Sequence, residues 1–247
     1  MERKSFAEHL NGLSLRYGVG TVFSDLLTMT ICAFSMQKQE ELYMKTIKPY
    51  KKTEVNAFAD AFGALVVEMT GDARLNDEVG QGSGMVDVLG EYFMEFLSFG
   101  RNGQFFTPMN ICDMMARMTN PIGETNSILD PACGSGRMLM ASAKLNRFAT
   151  FFGADCDASC AKMTVINMCL NGMYGEVAWM DTLSNKWYGG WKIERTIHGI
   201  PCIRKITEAE SYIHMKLPEP HEIPAIPANL PEVVLKATQQ KQLVFEF

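Results

Sequence analysis

Residues 127–139 read SILDPACGSGRML, and this short stretch decides the fold. An apolar, strand-like SIL leads into Asp130 and then into a loop in which Gly134 and Gly136 are separated by one residue. Glycines at this spacing let the chain turn sharply from a strand into a helix, and they let a ligand touch the backbone. The stretch therefore predicts a strand, a ligand-binding loop and a helix that starts at Arg137.

The same alternation continues towards the C-terminus. TFFGAD at 150–155 and EVAWMD at 176–181 predict two more strands, separated by a helix from Ala158. Strands that alternate with helices in this way indicate a parallel sheet with helices packed on it. From about residue 185 the alternation stops, although one or two further strands are expected before residue 207. We therefore expect an α/β, Rossmann-like domain that is shortened in its C-terminal half.

The flanking regions have a different composition. Residues 1–100 carry apolar side chains at helical spacing and predict a helical N-terminal region. The α/β domain is expected to occupy residues 101–216. Residues 217–247 contain five prolines between positions 218 and 231, which predicts a stiff, extended tail.

Composition limits the classes of function. The 247-residue chain carries a net charge of −5, whereas a protein that grips DNA by itself usually shows a basic stripe. The nearest candidate is the lysine group of KTIKPYKK, which we interpret as solvated surface because Glu40 and Glu41 precede it. That group consists of Lys45, Lys48, Lys51 and Lys52.

No stretch predicts a membrane span or a secretory signal, and the seven cysteines show no framework spacing. These features favour a reducing cytoplasm. Cys156, Cys160 and Cys169 lack a neighbouring His or a C-x-x-C pair, so we expect buried apolar residues there and no metal site.

Acidic residues close all three predicted strands. Asp155 ends the second strand, where a carboxylate can accept both hydroxyls of a ribose, and Asp181 ends the third, where it could bond an adenine amino group. Upstream, Thr107 and Pro108 of GQFFTP have the chemistry of a helix start, with Thr107 as N-cap and Pro108 as first helical residue, and such a start suits a carboxylate. In this order the residues describe a pocket for an adenosine that bears a charged tail.

A nicotinamide dinucleotide is the competing ligand. Its fingerprint is G-x-G-x-x-G, but Leu139 stands at the third glycine position here. The preceding DPAC has no role in that fingerprint, which favours the other ligand.

The strings GQFFTP, DPACGSGRML, GADCD and MDTLSN together resemble the cofactor motifs of adenine-N6 DNA methyltransferases. They are most similar to those of the modification (M) subunits of type I restriction systems. The string LGEYFMEFLSF, ahead of GQFFTP, also resembles the helical lead-in of those subunits. The resemblance covers roughly residues 85–185 and implies S-adenosylmethionine as cofactor. It assigns the binding of that cofactor to Gln104, Phe106, Thr107, Pro108, Asp130, Ala132, Gly134, Ser135, Gly136, Asp155 and Asp181. Within that set, Asp155 would hold the ribose, Asp181 the adenine, and Thr107, Pro108, Asp130 and the Ala132–Gly136 loop the methionine end.

The catalytic motif of this family is not found. The family places Asn-Pro-Pro-Tyr or Asn-Pro-Pro-Phe after a further strand, where the Asn and a proline carbonyl orient the target amine and the aromatic ring stacks on a flipped base. This chain contains no Pro-Pro, and the nearest string, NKWY at 185–188, starts only four residues after Asp181. We interpret NKWYGG as a turn with stacked aromatics. A degenerate motif with Asn185 and Tyr188 as catalytic residues stays open.

The resemblance implies an adenine-N6 DNA methyltransferase of the type I M-subunit kind that reaches DNA through a partner specificity subunit. The alternative is a catalytically inactive, S-adenosylmethionine-binding regulatory or accessory subunit of a DNA modification or replication complex. The missing motif favours the alternative, and the pocket residues fit both.

The last six residues, QLVFEF, resemble the hexapeptide with which bacterial proteins dock on the replication sliding clamp. Gln242, Leu243, Phe245 and Phe247 would make the contacts, and a proline-rich tether suits such a peptide. The alternation of apolar and polar residues equally suits a terminal strand that packs on the sheet.

Overall fold

The computed structural model describes residues 4–70, 85–98, 105–119 and 127–216. The helices are α1 Phe6–Tyr17, α2 Val19–Ala33, α3 Glu40–Ile47, α4 Lys52–Thr70, α5 Val88–Phe96, α6 Met109–Thr119, α7 Arg137–Leu145, α8 Ala158–Leu170 and α9 Tyr212–Lys216. The strands are β1 Ser127–Asp130, β2 Thr150–Asp155, β3 Tyr174–Asp181, β4 Lys186–Arg195 and β5 Pro201–Ile206, and a 3₁₀ helix covers Glu208–Glu210.

The five strands form one sheet in the order β1-β2-β3-β4-β5. The pairings of β1 with β2 and of β2 with β3 are parallel, and α7 and α8 connect these strands. Strands β4 and β5 add to the sheet as antiparallel neighbours. The mixed α/β fold, with the helical region before it, is therefore confirmed.

One expectation about the sheet was wrong in part. NKWYGG was expected to be a turn, but only Asn185 lies in the turn after β3, with a φ of 52°, and β4 starts at Lys186. Gly189 and Gly190 pair with Trp179 and Ala178 of β3. The flanking glycines led to the prediction of a turn, whereas the ladder to β3 holds them in extended backbone.

The side chains of β3 alternate between two cores. Val177 and Trp179 face a large cluster that also contains buried residues of α2, α5 and α8. Ala178 and Met180 face the other side of the sheet, where they form a small cluster with Ile213 of α9. The N-terminal helices and the sheet thus share the large core.

Helix α9 is held to the sheet by a buried carboxylate. Glu176 of β3 is 2% exposed, and it accepts hydrogen bonds from the Ser211 hydroxyl and from the backbone N–H groups of Tyr212 and Ile213. Burial raises the pKa of Glu176, and these hydrogen bonds oppose the rise. In the described part of the chain, no helix has the length and apolar character needed to cross a membrane.

Candidate functional site

The carboxyl ends of the three parallel strands meet at one edge of the sheet, and each ends in an aspartate. After β1 the loop crosses to β2, where the Cys133 N–H donates to the Ala154 carbonyl at 2.9 Å and the Gly134 N–H donates to the Asp155 carboxylate at 2.9 Å. After β3 the Thr182 hydroxyl donates to the Pro131 carbonyl at 3.2 Å. These bonds fix the three strand ends relative to one another.

The loop itself requires glycine at two positions. Gly134 and Gly136 have φ angles of 54° and 90°, in the left-handed region that side chains disfavour. A Cβ at Gly134 would stand 3.0 Å from the ring of Phe106, and a Cβ at Gly136 would stand 3.2 Å from Thr164. The Thr164 hydroxyl also donates to the Gly134 carbonyl at 2.8 Å. The loop is therefore clamped between an aromatic ring and α8.

Most of the residues expected to bind the cofactor lie around one small cavity of about 80 Å³. Its lining includes Phe106, Thr107, Asp130, Ala132, Gly134 and Ser135. Asp155 reaches the same loop through its bond to Gly134. Gln104 lies outside the described residues.

The helix after GQFFTP begins one residue later than expected. Helix α6 starts at Met109, and the Pro108 carbonyl accepts the backbone N–H groups of Ile111 and Cys112, each at 3.0 Å. Pro108 is therefore the residue before the helix rather than its first residue. The Thr107 carbonyl accepts a bond of 3.3 Å from Arg137, which places this segment against the loop.

The pocket holds two carboxylates that no cation in the described part of the chain pairs with. Burial raises the pKa of Asp130, and the neighbouring charge of Asp155 raises it further. Burial also raises the pKa of Asp155, against the bonds from the Asp157 and Gly134 N–H groups. Among the described residues, no Lys, Arg or His forms an ion pair with either carboxylate. The described part also holds no group of three His, Cys, Asp or Glu that could bind a metal ion.

The pKa of Asp181 is shifted in the opposite direction from the pKa values of Asp130 and Asp155. Its oxygens accept bonds from the Ser184 hydroxyl at 2.7 Å and from the Leu183 and Ser184 N–H groups at 3.0 and 3.3 Å. The Ser184 hydroxyl, followed by these backbone bonds, lowers the pKa of Asp181. The residue therefore stays ionised and orders the turn between β3 and β4.

A buried ion pair behind the loop was not found from the sequence. Asp87 and Arg137 are 1% and 7% exposed, and Arg137 Nε donates to Asp87 at 2.6 Å. Asp87 also accepts from the Ser135 hydroxyl at 2.5 Å and from the Asn167 amide at 2.9 Å. The carboxylate thus joins α5, the glycine loop and α8. From the sequence alone, Asp87 is explained by its role as the N-cap of α5, and the structure shows that it has this role as well.

The string NKWY lies at the β3–β4 connection. The Asn185 Oδ1 atom is buried without a hydrogen-bond partner in the described part of the structure. Tyr188 is 42% exposed and packs against Trp179 with ring centroids 5.3 Å apart. Trp187 lies on the other face, 6.2 Å from the His214 ring. The aromatics therefore pack against different partners and not against each other.

Comparison with known proteins finds similarity to DNA methyltransferases. Residues 85–202 match the family model described as N-6 DNA Methylase. Over 61 residues the chain is 36% identical to the type II restriction enzyme and methyltransferase RM.BcgI of Heyndrickxia coagulans. This alignment covers 23% of this chain and 9% of that protein. The solved methyltransferase subunit of a type I restriction-modification system from Streptococcus thermophilus matches at 19% identity with a TM-score of 0.39, over 74% of this chain and 40% of that one.

The chain spans less than half the length of both relatives. The matched segment contains the glycine loop and the three aspartates that end β1, β2 and β3. Residues 85–202 of this chain are thus similar to the N-6 DNA methylase family.

Proposed function

We propose that the chain binds S-adenosylmethionine and forms part of an adenine-N6 DNA methyltransferase of the type I M-subunit kind. The observation that carries this proposal is the set of three aspartates at adjacent parallel strand ends around a glycine loop. This arrangement presents carboxylates to a nucleoside and backbone to its charged tail.

The charge of the pocket supports this cofactor. Asp130 and Asp155 are partly buried and have no cationic partner among the described residues. S-adenosylmethionine brings a sulfonium and an ammonium group besides its own carboxylate, so its net positive charge would offset part of this negative charge. A nicotinamide dinucleotide would instead bring a diphosphate next to Asp130, where like charges repel. The site therefore favours the cationic cofactor over the dinucleotide.

Each residue has a definite role in this proposal. Asp155 would accept the ribose hydroxyls, and its backbone bonds to Gly134 and Asp157 hold it in place. Asp181 would accept the adenine amino group from the ordered turn that it caps. The cavity of about 80 Å³ is far below the roughly 300 Å³ of an ordinary ligand pocket. We therefore expect the nucleoside to lie over the open strand ends.

When bound, S-adenosylmethionine would supply an electrophilic methyl group. The target would be adenine in DNA, reached with a partner specificity subunit, because the chain itself is acidic. The cytoplasm is the compartment we expect for this function. A second contact, of QLVFEF with a sliding clamp, stays a proposal, since residues 217–247 lie outside the described part.

One observation favours a non-catalytic alternative. Orienting a flipped adenine needs accessible acceptors beside the transferred methyl group. Asn185 is the nearest candidate, but its Oδ1 is buried and the next residue enters the β3–β4 ladder. An accessory subunit that only binds S-adenosylmethionine would need the pocket but would not need these acceptors.

We expect Asp155→Ala to weaken S-adenosylmethionine binding by about 1–3 kcal/mol, because the acceptor for two ribose hydroxyls is lost. Isothermal titration calorimetry measures this effect. Asp60→Ala makes the same chemical change at an exposed position of α4 and should leave affinity unchanged. If the unmodified protein binds no cofactor, both proposed functions fail.

Transfer of a labelled methyl group to mixed double-stranded DNA separates catalysis from binding. We expect the purified chain alone to transfer little or none while still binding cofactor, because the Asn185 Oδ1 acceptor is buried. Asn185→Ala should then change nothing. Robust transfer that Asn185→Ala abolishes would show that NKWY is a working catalytic motif.

A further inference from the structure

A second cavity, of about 390 Å³, lies on the side of the sheet that α2, α3 and α8 cover, next to β4 and β5. Its lining residues are Asp25, Thr28, Ile31, Gln39, Leu42, Lys45, Thr46, Pro49, Lys162, Trp191 and Lys205. Only Lys162 and Trp191 of this set fall within the segment that matches the methyltransferase family. The cavity is thus built largely from parts of the chain outside that match.

Positive charge dominates this cavity. Three amines, from Lys45, Lys162 and Lys205, face one carboxylate, that of Asp25. Asp25 already accepts a hydrogen bond of 2.6 Å from the buried Tyr50 hydroxyl. None of the three lysines forms an ion pair within the described residues. The charge is therefore opposite in sign to that of the cofactor pocket.

Lys162 makes this excess charge difficult to explain as ordinary solvated surface. It is carried by α8, whose neighbouring residues Ala161 and Met163 are fully buried, and its amine donates to the Thr28 hydroxyl at 3.0 Å. Burial lowers the pKa of Lys162, and the charge of Asp25 opposes this only in part. An ammonium that is partly removed from water is stabilised by an anion placed beside it.

Further donors and an apolar wall complete the site. The Gln39 Nε2 atom is buried without a hydrogen-bond partner in the described structure. Trp191 is 7% exposed and pairs across the β4–β5 ladder with Lys205, so ring and amine share one face of the sheet. The Thr28 and Thr46 hydroxyls also line the cavity. Amide, hydroxyl and ammonium donors in one concave site suit phosphate oxygens.

We propose that this cavity binds a ligand with two neighbouring phosphate groups, at a site separate from the cofactor pocket. Three amines and one carboxylate leave an excess of two positive charges, which offsets most of the charge of a diphosphate, and the volume exceeds the need of a single phosphate. The phosphates could belong to a free nucleoside diphosphate or to the backbone of a nucleic acid strand. Both sources present the same chemistry to the lysines.

The test is calorimetric titration of the full chain with inorganic pyrophosphate at low ionic strength. We expect saturable binding that Lys162→Met and Lys205→Met each weaken roughly tenfold or more, because each removes a charged donor. Thymidine diphosphate and a single-stranded oligothymidylate then distinguish the two sources. Both probes avoid adenine, which could enter the cofactor pocket.

Lys192→Met is the matched control. Lys192 lies on the same strand as Trp191, points to the opposite face and pairs with Glu194 at 3.4 Å, so its loss should leave pyrophosphate binding unchanged. Equal weakening by all three variants, or no binding at millimolar pyrophosphate, would overturn the proposal. Because Lys162→Met could perturb packing of α8, Lys205→Met at the rim provides an independent result. Asp155→Ala should retain pyrophosphate binding, which separates this site from the cofactor site.

Discussion

Replacing Asp87 by Ala should lower the free energy of unfolding by about 3 kcal/mol, because the buried carboxylate that accepts from Arg137, Ser135 and Asn167 is lost. The substitution leaves the Arg137 guanidinium, which is 7% exposed, with Glu91 at 2.6 Å as its remaining carboxylate partner, and it removes the acceptor of the Ser135 hydroxyl. Because Ser135 lies in the glycine loop, S-adenosylmethionine affinity should fall as well. Urea denaturation and calorimetry measure the two effects.

Asp113→Ala is the control for this experiment. Asp113 on α6 pairs with Lys144 on α7 at 3.0 Å, but their side chains are 37% and 25% exposed, so the loss should be at most about 1 kcal/mol. The double variant Asp87→Ala with Arg137→Met should recover part of the stability, since it also removes the buried Nε donor that has lost its acceptor. Similar losses for Asp87→Ala and Asp113→Ala would show that burial does not govern the Asp87 pair.

The parts of the fold that the sequence predicted are those with local signals. The strands that end at Asp130, Asp155 and Asp181 are each a short apolar run closed by an acidic residue, and helix starts follow at Arg137 and Ala158. Parallel strands connected by helices bring their carboxyl ends together, so the order of the aspartates along the chain was enough to predict their proximity.

Long-range partners carried no such signal. Asp87 and Arg137 are 50 positions apart in the sequence. Each also has a local role that explains its presence, Asp87 as the N-cap of α5 and Arg137 as the first residue of α7. Lys45 is exposed, as its interpretation as solvated surface implied, but the sequence did not indicate that it lines a cavity with Lys162 and Lys205. Only the packing of α3 on α2 and of α8 on the sheet brings these amines together.

The start of β4 shows a conflict between local and tertiary preference. Residues 189 and 190 are glycines, which predict a turn by composition. In the sheet they pair with β3, and Gly190 leaves room for the Trp187 ring, which would lie 2.5 Å from a Cβ there. Glycine here serves close packing within a strand.

Gly175→Ala should be the most damaging small substitution in the sheet, with an expected loss of about 3 kcal/mol or more. Gly175 has a φ of 144°, and an added Cβ would stand 1.8 Å from the Phe151 carbonyl oxygen. That oxygen belongs to the adjacent backbone of β2, which cannot rotate away as a side chain can, so β2 and β3 must separate locally. The loss combines backbone strain with steric overlap.

Gly189→Ala is the matched control, because Gly189 is also a buried strand glycine paired with β3. A Cβ at Gly189 would meet only the Trp179 ring, at an ordinary contact distance of 3.7 Å, so the loss should stay within about 1 kcal/mol. Urea denaturation of both variants measures the difference. Since β2 and β3 carry Asp155 and Asp181, we also expect Gly175→Ala to weaken S-adenosylmethionine binding where the fold survives. Equal stability of the two variants would show that β2 and β3 do not pair closely at Gly175.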